Sequence, residues 1–137
     1  MNEEEAKQIL KKDLNFSENN INNLEIFRIM LIEYNAKYNL ISKSTENSIW
    51  SRHILDSAQL LKYFNVSSGG VLADLGSGAG FPGLVLAIFI KNQGAFIYLI
   101  AKLSTNPFGQ GIICIKTINV YRDWFFKFFY LCFRILS

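Results

Sequence analysis

Cysteine and histidine are almost absent from this chain. The two cysteines, Cys114 and Cys132, stand apart with no other cysteine or histidine nearby. They make neither a zinc ligand set nor a disulfide framework, and no metal site is expected. That usage fits a reduced, cytoplasmic protein. No secretory leader is expected, because Met1-Asn2-Glu3-Glu4-Glu5 is acidic and polar rather than basic and then apolar. A long apolar run is also missing. Leu84 to Ile90 is ended by Lys91 and a polar stretch, which is too short to span a bilayer, so no membrane partner is expected. Basic excess is missing from most of the chain as well. The net charge is +3, yet residues 1–100 hold nine Lys/Arg against ten Asp/Glu, and residues 101–137 hold five against one. Net charge therefore gives no argument for a nucleic-acid partner; any basic patch is local. What the 137 residues do contain is 50% apolar and 18% charged, enough for one domain with a buried core.

The periodicity predicts helices first. Residues 3–13 read as a short helix, acidic at its start and basic near its end, the order that suits the helix dipole. Ser17 is the expected N-cap of the next helix. There Leu24, Phe27, Leu31, Tyr34 and Tyr38 recur at steps of three and four and form one apolar face. A third helix is expected after Ser44 or Thr45 as cap, with Glu46 in its first turn. Its apolar face is Trp50, Ile54, Ser57, Leu61 and Phe64. Lys11-Lys12, Lys37 and Lys43 are expected on the solvated surface. After the loop Asn65 to Gly70, Val71-Leu72-Ala73 begins a short apolar run of the kind expected in a buried parallel strand. Phe81 to Ile90 reads as a helix with Pro82 where a missing N–H is harmless. Ala95 to Ile100 reads as a second strand. The order is helices, then strand–loop–helix–strand, which implies an α/β domain with a parallel sheet.

The segment Asp74-Leu75-Gly76-Ser77-Gly78-Ala79-Gly80 carries the chemistry. Its glycines let a nucleoside lie against the backbone between strand and helix. N–H groups at the start of the following helix are available donors for a ligand. The dinucleotide fingerprint is the rival reading, because Gly78-Ala79-Gly80-Phe81-Pro82-Gly83 also satisfies G-x-G-x-x-G. It is disfavoured because Phe81 and Pro82 would stand where a pyrophosphate must approach. A third reading is a glycine-rich turn with no ligand.

Around this loop the sequence resembles a known family. Tyr34-Asn35-Ala36-Lys37-Tyr38-Asn39-Leu40-Ile41-Ser42, then Arg52-His53-Ile54-Leu55-Asp56-Ser57, then Asp74 to Gly83 are similar to three successive signatures of the bacterial small-subunit ribosomal RNA guanine-N7 methyltransferase G family. That family is also called glucose-inhibited division protein B. The resemblance covers about residues 20 to 100. It implies an enzyme that uses S-adenosyl-L-methionine, with a class I, Rossmann-like methyltransferase sheet beginning after the N-terminal helices. It also implies 7-methylguanosine in 16S ribosomal RNA as product, and the small ribosomal subunit as partner. Cofactor contacts are expected at Asp74, Gly76, Ser77, Gly78, Gly80 and Phe81. Guanine N7 has a free lone pair, so no catalytic base or triad is expected. The work is alignment of the reacting atoms.

Four further residues are candidates for cofactor or RNA contact: Asn39, Arg52, His53 and Asp56. Each also has a plain reading. Asn39 is a turn residue. His53–Asp56 at i,i+3 and Arg52–Asp56 at i,i+4 suit a local ion pair on one helix face.

The chain departs from the family at Ala101, where an acidic residue that grips the cofactor ribose is expected; alanine accepts neither hydroxyl. Composition shifts at the same place. Residues 102–137 carry nine aromatics, including six of the twelve phenylalanines, and Trp124 to Leu136 lacks a polar face. Ile112 to Val120 reads as a strand. The expected organisation is a helical region at 1–66, a β-α-β cofactor-binding segment at 67–101 and an atypical tail at 102–137. The tail is read as out-of-frame translation of an AT-rich gene, which the other two frames of the nucleotide sequence check. On this reading the sheet is incomplete after two strands, with one parallel edge unpaired and weak cofactor binding. The functional alternatives are an inactive remnant without a specific ligand and a small dinucleotide-binding module.

Overall fold

The computed structural model describes residues 1–63, 71–75, 77–90, 96–102 and 113–118. Expectations on other residues lie outside the described ones. These include Phe64, Gly76, the loop before the first strand and the aromatic run from Trp124.

The first two helices follow the periodicity. Helix α1 spans Glu3–Asp13. Its N-cap is Asn2, which exchanges hydrogen bonds with Glu5 in a capping box. Helix α2 spans Glu18–Tyr38 and is capped by Ser17, as expected, through a reciprocal pair with Asn20. Leu24, Phe27 and Leu31 are fully buried, so the predicted face is the core face; Tyr34 and Tyr38 are half-buried. Lys7 joins the two helices to the next segment. It pairs with Glu3 on its own helix and with Glu25 on α2, and lies 4.6 Å from the centre of the Trp50 ring. Lys11 bridges to the exposed Glu18 at 2.8 Å across the α1–α2 turn.

The third helical segment differs from expectation. It begins with a tight 3-10 turn at Lys43–Ser48 whose N-cap is Ser42, not Ser44 or Thr45. A wide π-type stretch follows at Trp50–Leu55, then a short helix α3 at Asp56–Ala58 and another 3-10 stretch at Gln59–Tyr63. Trp50, Ile54 and Ser57 are buried as the spacing predicted. The wide turn lets both Ile54 and Leu55 enter the core behind Trp50.

Strand β1 spans Val71–Leu75 and β2 spans Phe96–Lys102; they pair in parallel with Val71 opposite Phe96. Between them lies helix α4, Gly83–Ile90. Every residue of α4 but Phe89 is buried, as befits a helix that is apolar all round. The chain's N-terminal helices share one core with it. Phe16 meets Phe89 with ring centres 4.7 Å apart, and Asn20 donates to the Ile88 carbonyl at 2.7 Å. Strand β3, Ile113–Ile118, falls within the strand expected at 112–120 and runs antiparallel to β2, with Ala101 opposite Cys114. The order is β1-β2-β3. The sheet therefore has a third strand, where two were expected.

Candidate functional site

Successive strand residues point to opposite faces. In β1, Leu72 packs on the helical core, Ala73 is exposed, and Asp74 returns to the face of Leu72. That alternation delivers the Asp74 carboxylate to the start of α4. There its Oδ2 accepts from the Gly83 N–H at 2.9 Å. The other oxygen has no hydrogen-bond partner among the described residues. Burial pushes the Asp74 pKa up from 3.8, and the Gly83 bond opposes that rise. A half-buried carboxylate with one oxygen committed and one free is suited to a cationic group.

The turn between strand and helix is closed by Ser77, which is buried. Its carbonyl accepts from the N–H of Gly80 at 2.7 Å and of Phe81 at 3.1 Å. Gly78 and Gly80 have φ of +52° and +94°, where residues with a Cβ are strained. A Cβ on Gly80 would also run into Leu84 Cδ1 and come 2.9 Å from its Cγ. The need for glycine at Gly80 is thus already set by the fold, before any ligand.

The expectation of free N–H donors at the helix start is corrected here. The N–H groups of Gly80, Phe81, Gly83 and Leu84 are taken by the Ser77 carbonyl, again by the Ser77 carbonyl, by Asp74 and by the Gly80 carbonyl respectively. Pro82 has none; the peptide before it is cis. An anion needs several free donors in such a loop, and these four are already committed.

Phe81 sits between two rings. Phe27 of α2 lies 5.2 Å away, tilted, and His53 lies 5.1 Å away, stacked. His53 in turn meets Thr45 Oγ1 through Nε2 at 2.9 Å. Thr45 Oγ1 also meets the Ser42 carbonyl at 2.9 Å, which ties His53 to the turn at Ser42. Burial pushes the His53 pKa below 6.5, and the Asp56 charge works against that shift. The folded chain therefore takes up this proton at lower pH than the unfolded chain does. Folding stability should fall as pH drops from about 6.5, where the unfolded histidine starts to charge. Urea midpoints between pH 7.5 and 5.5 should show the decline, and His53→Gln should flatten it. An equal slope in the variant would remove His53 as the cause.

Between these rings and the third helical segment lies a cleft of about 340 Å³. Arg52, His53, Asp56, Gln59 and Tyr63 of the helical segment line it together with Phe81 and Pro82 of the loop. The structure thus brings three of the four further candidates together with Phe81. It does not give the expected ion pair: among the described residues Arg52 and Asp56 bond neither to each other nor to any other side chain. The i→i+5 turns at Trp50–Leu55 alter the spacing on which an i,i+4 pair depends. Asn39 is not among the residues lining this cleft. It ends α2 in a left-handed conformation, its N–H bonded to the Asn35 carbonyl at 3.0 Å.

Sequence reading passed over Asn35. It is buried, accepts from the Ile41 N–H at 2.8 Å and donates to Glu46. It fixes the loop that carries Thr45 toward His53. A buried amide with two distant partners leaves no periodic trace in sequence.

A family model described as rRNA small subunit methyltransferase G matches residues 20–104. The chain is similar to "Ribosomal RNA small subunit methyltransferase G" of Orientia tsutsugamushi (strain Ikeda), 40% identical over 105 residues, covering 69% of this chain and 52% of that one. The protein of the same name from Syntrophomonas wolfei is 42% identical over 91 residues, 66% of this chain and 42% of the relative. The Sphingopyxis alaskensis protein is 57% identical over 65 residues, 47% of this chain and 28% of the relative. The chain spans about half or less of the length of these relatives. No solved structure matches it. No described helix is long and apolar enough to cross a membrane.

Proposed function

The chain belongs to the rRNA small subunit methyltransferase G family, and on that premise we propose that it acts in S-adenosyl-L-methionine-dependent N7-methylation of a guanine in 16S ribosomal RNA. The partner is then the small ribosomal subunit, and the setting the cytoplasm. In this reading β1, α4 and β2 open a class I, Rossmann-like methyltransferase sheet. Residues 1–66 are the helical platform behind the loop, 67–101 the cofactor-binding segment and 102–137 the tail.

The observation that carries the reading is how the loop spends its polar groups. One Asp74 oxygen, without a hydrogen-bond partner among the described residues, stands beside a loop whose N–H donors Gly80, Phe81, Gly83 and Leu84 are already bonded. A pyrophosphate would need those donors. The amino group of S-adenosylmethionine needs a carboxylate. The cofactor supplies a methyl group on a sulfonium, an electrophile to which a purine N7 offers its lone pair without losing a proton. Nothing in the chain then has to act as a general base. Asp74 holds the charged end, Gly78 and Gly80 let the turn fold tightly, and Phe81, gripped between Phe27 and His53, fixes the loop's far end. Gly76 and Ser77 complete the proposed contact set.

Calorimetric titration with S-adenosylhomocysteine tests this. Micromolar binding is expected, and none with NAD. Asp74→Asn keeps an acceptor for Gly83 and removes the charge, so the fold should survive while affinity drops about tenfold or more, the loss of one charge-assisted hydrogen bond. Heat with NAD alone would favour a dinucleotide module. No heat with either ligand would favour an inactive remnant.

A further inference from the structure

We infer that the cleft between Arg52–Tyr63 and Phe81–Pro82 seats the target purine, and that Asp56 reads its Watson–Crick edge; this rests on the methyltransferase reading above.

The first ground is unspent charge. Lys7, Lys11 and Arg28 are all held in ion pairs. Arg52 and Asp56 are four residues apart, both exposed and both lining one cleft, and among the described residues neither side chain makes a hydrogen bond or ion pair. Exposed charges of opposite sign that share a cleft and remain apart can each hold a different atom of a ligand. The second ground is aromatic surface. His53, Tyr63 and Phe81 line the same cleft, and Tyr63 is 81% exposed. Unstacked RNA bases are held against such rings and hydrogen-bonded on their edges. The third ground is size: about 340 Å³ lies at the lower end of what small-ligand sites offer, enough for a base.

The chemistry of the reaction then selects the edge. N7 must stay free to receive the methyl group, so the purine has to be held by its other side. On guanine that side carries two donors, N1–H and the 2-amino group, next to the acceptor O6. A carboxylate takes both donors, and Arg52 and Gln59 are donors for O6 in the same cleft. On adenine the same edge presents N1 as an acceptor, which a carboxylate repels. Asp56 therefore gives a reason for guanine that the loop around Asp74 cannot supply.

The test uses the full chain, labelled with 15N, titrated with guanosine, inosine and adenosine 5′-monophosphates. All three carry the same phosphate, so differences report the base. Guanosine monophosphate should shift the Gln59 side-chain amide and the Phe81 N–H. Inosine monophosphate, which lacks the 2-amino group, should bind roughly tenfold more weakly, as for loss of one base-edge contact, and adenosine monophosphate more weakly still. Asp56→Asn should erase the order. The Asp56 side chain is exposed and makes no hydrogen bond among the described residues, so the variant should keep the wild-type melting temperature and S-adenosylhomocysteine affinity. Equal binding of the three nucleotides, or a guanine preference that survives Asp56→Asn, overturns the inference even if S-adenosylhomocysteine binds. Guanine preference without S-adenosylhomocysteine binding supports the cleft and counts against the cofactor reading alone.

Discussion

Gly80→Ala should lower the folding stability by roughly 2–6 kcal/mol, from about 1–3 for a strained backbone and about 1–3 for overpacking. Two independent costs meet at this residue. Its φ of +94° lies where residues with a Cβ are strained, and the added carbon would collide with Leu84, the second residue of α4, which is itself buried. Leu84 is itself only 4% exposed, so its side chain has little free space to swing into. Gly78→Ala provides the contrast. Gly78 also has positive φ but is exposed, so only the backbone cost of about 1–2 kcal/mol applies. Urea unfolding should therefore show a much larger fall in midpoint for Gly80→Ala, with similar slopes for both. Adding Leu84→Ala to Gly80→Ala should remove the steric share but not the backbone share. If the two glycine variants unfold at the same midpoint, the contact with Leu84 has no energetic weight.

That pair of variants also marks how far sequence reading reaches. The glycines were legible as a loop between strand and helix, and Asp74 as the carboxylate at its edge. The reason for Gly80 was not, because it depends on which rotamer space Leu84 occupies four residues on. Nor could the pattern of residues tell which N–H groups the loop would use on itself. Helices α1 and α2 were legible because their energetics are local: the apolar period of Leu24, Phe27 and Leu31, and the cap at Ser17. Between Lys43 and Tyr63 the same period located the buried side chains, yet the turns are 3-10 and π-type. Their geometry is set by tertiary demands: Asn35 anchoring the preceding loop, Thr45 meeting His53, and Ile54 and Leu55 both entering the core. Losing the expected Arg52–Asp56 pair is a consequence of that departure. It changes the meaning of both residues from helix surface to cleft wall. The sites that local rules describe worst are thus the ones that line the candidate site, where competing demands are expected.

Phe27→Ala should be the most destabilising of the simple truncations near this site, by about 3–5 kcal/mol. Phe27 is completely buried and its ring lies 5.2 Å from that of Phe81. Total stability of a domain is only about 5–15 kcal/mol, so the alanine variant would retain little margin. Phe27→Leu is the informative companion. It keeps most of the volume and should cost less, leaving a folded chain in which the aromatic contact with Phe81 is gone. Among the described rings, Phe81 would then keep its contact with His53. In the parent chain the His53 ring is stacked on that of Phe81, 5.1 Å between centres, and its protons should resonate upfield of an isolated histidine. Phe27→Leu should shrink that displacement, because Phe81 gains freedom when one of its two flanking rings is lost. Ile29→Ala, on the exposed face of the same helix, should change neither the displacement nor the stability appreciably. Should the histidine resonances stay fixed in Phe27→Leu, the loop end is held by its own turn at Ser77 and owes nothing to α2. Should they move, the N-terminal helices act on the loop through one ring, and the core that folds the chain is also what aims the site.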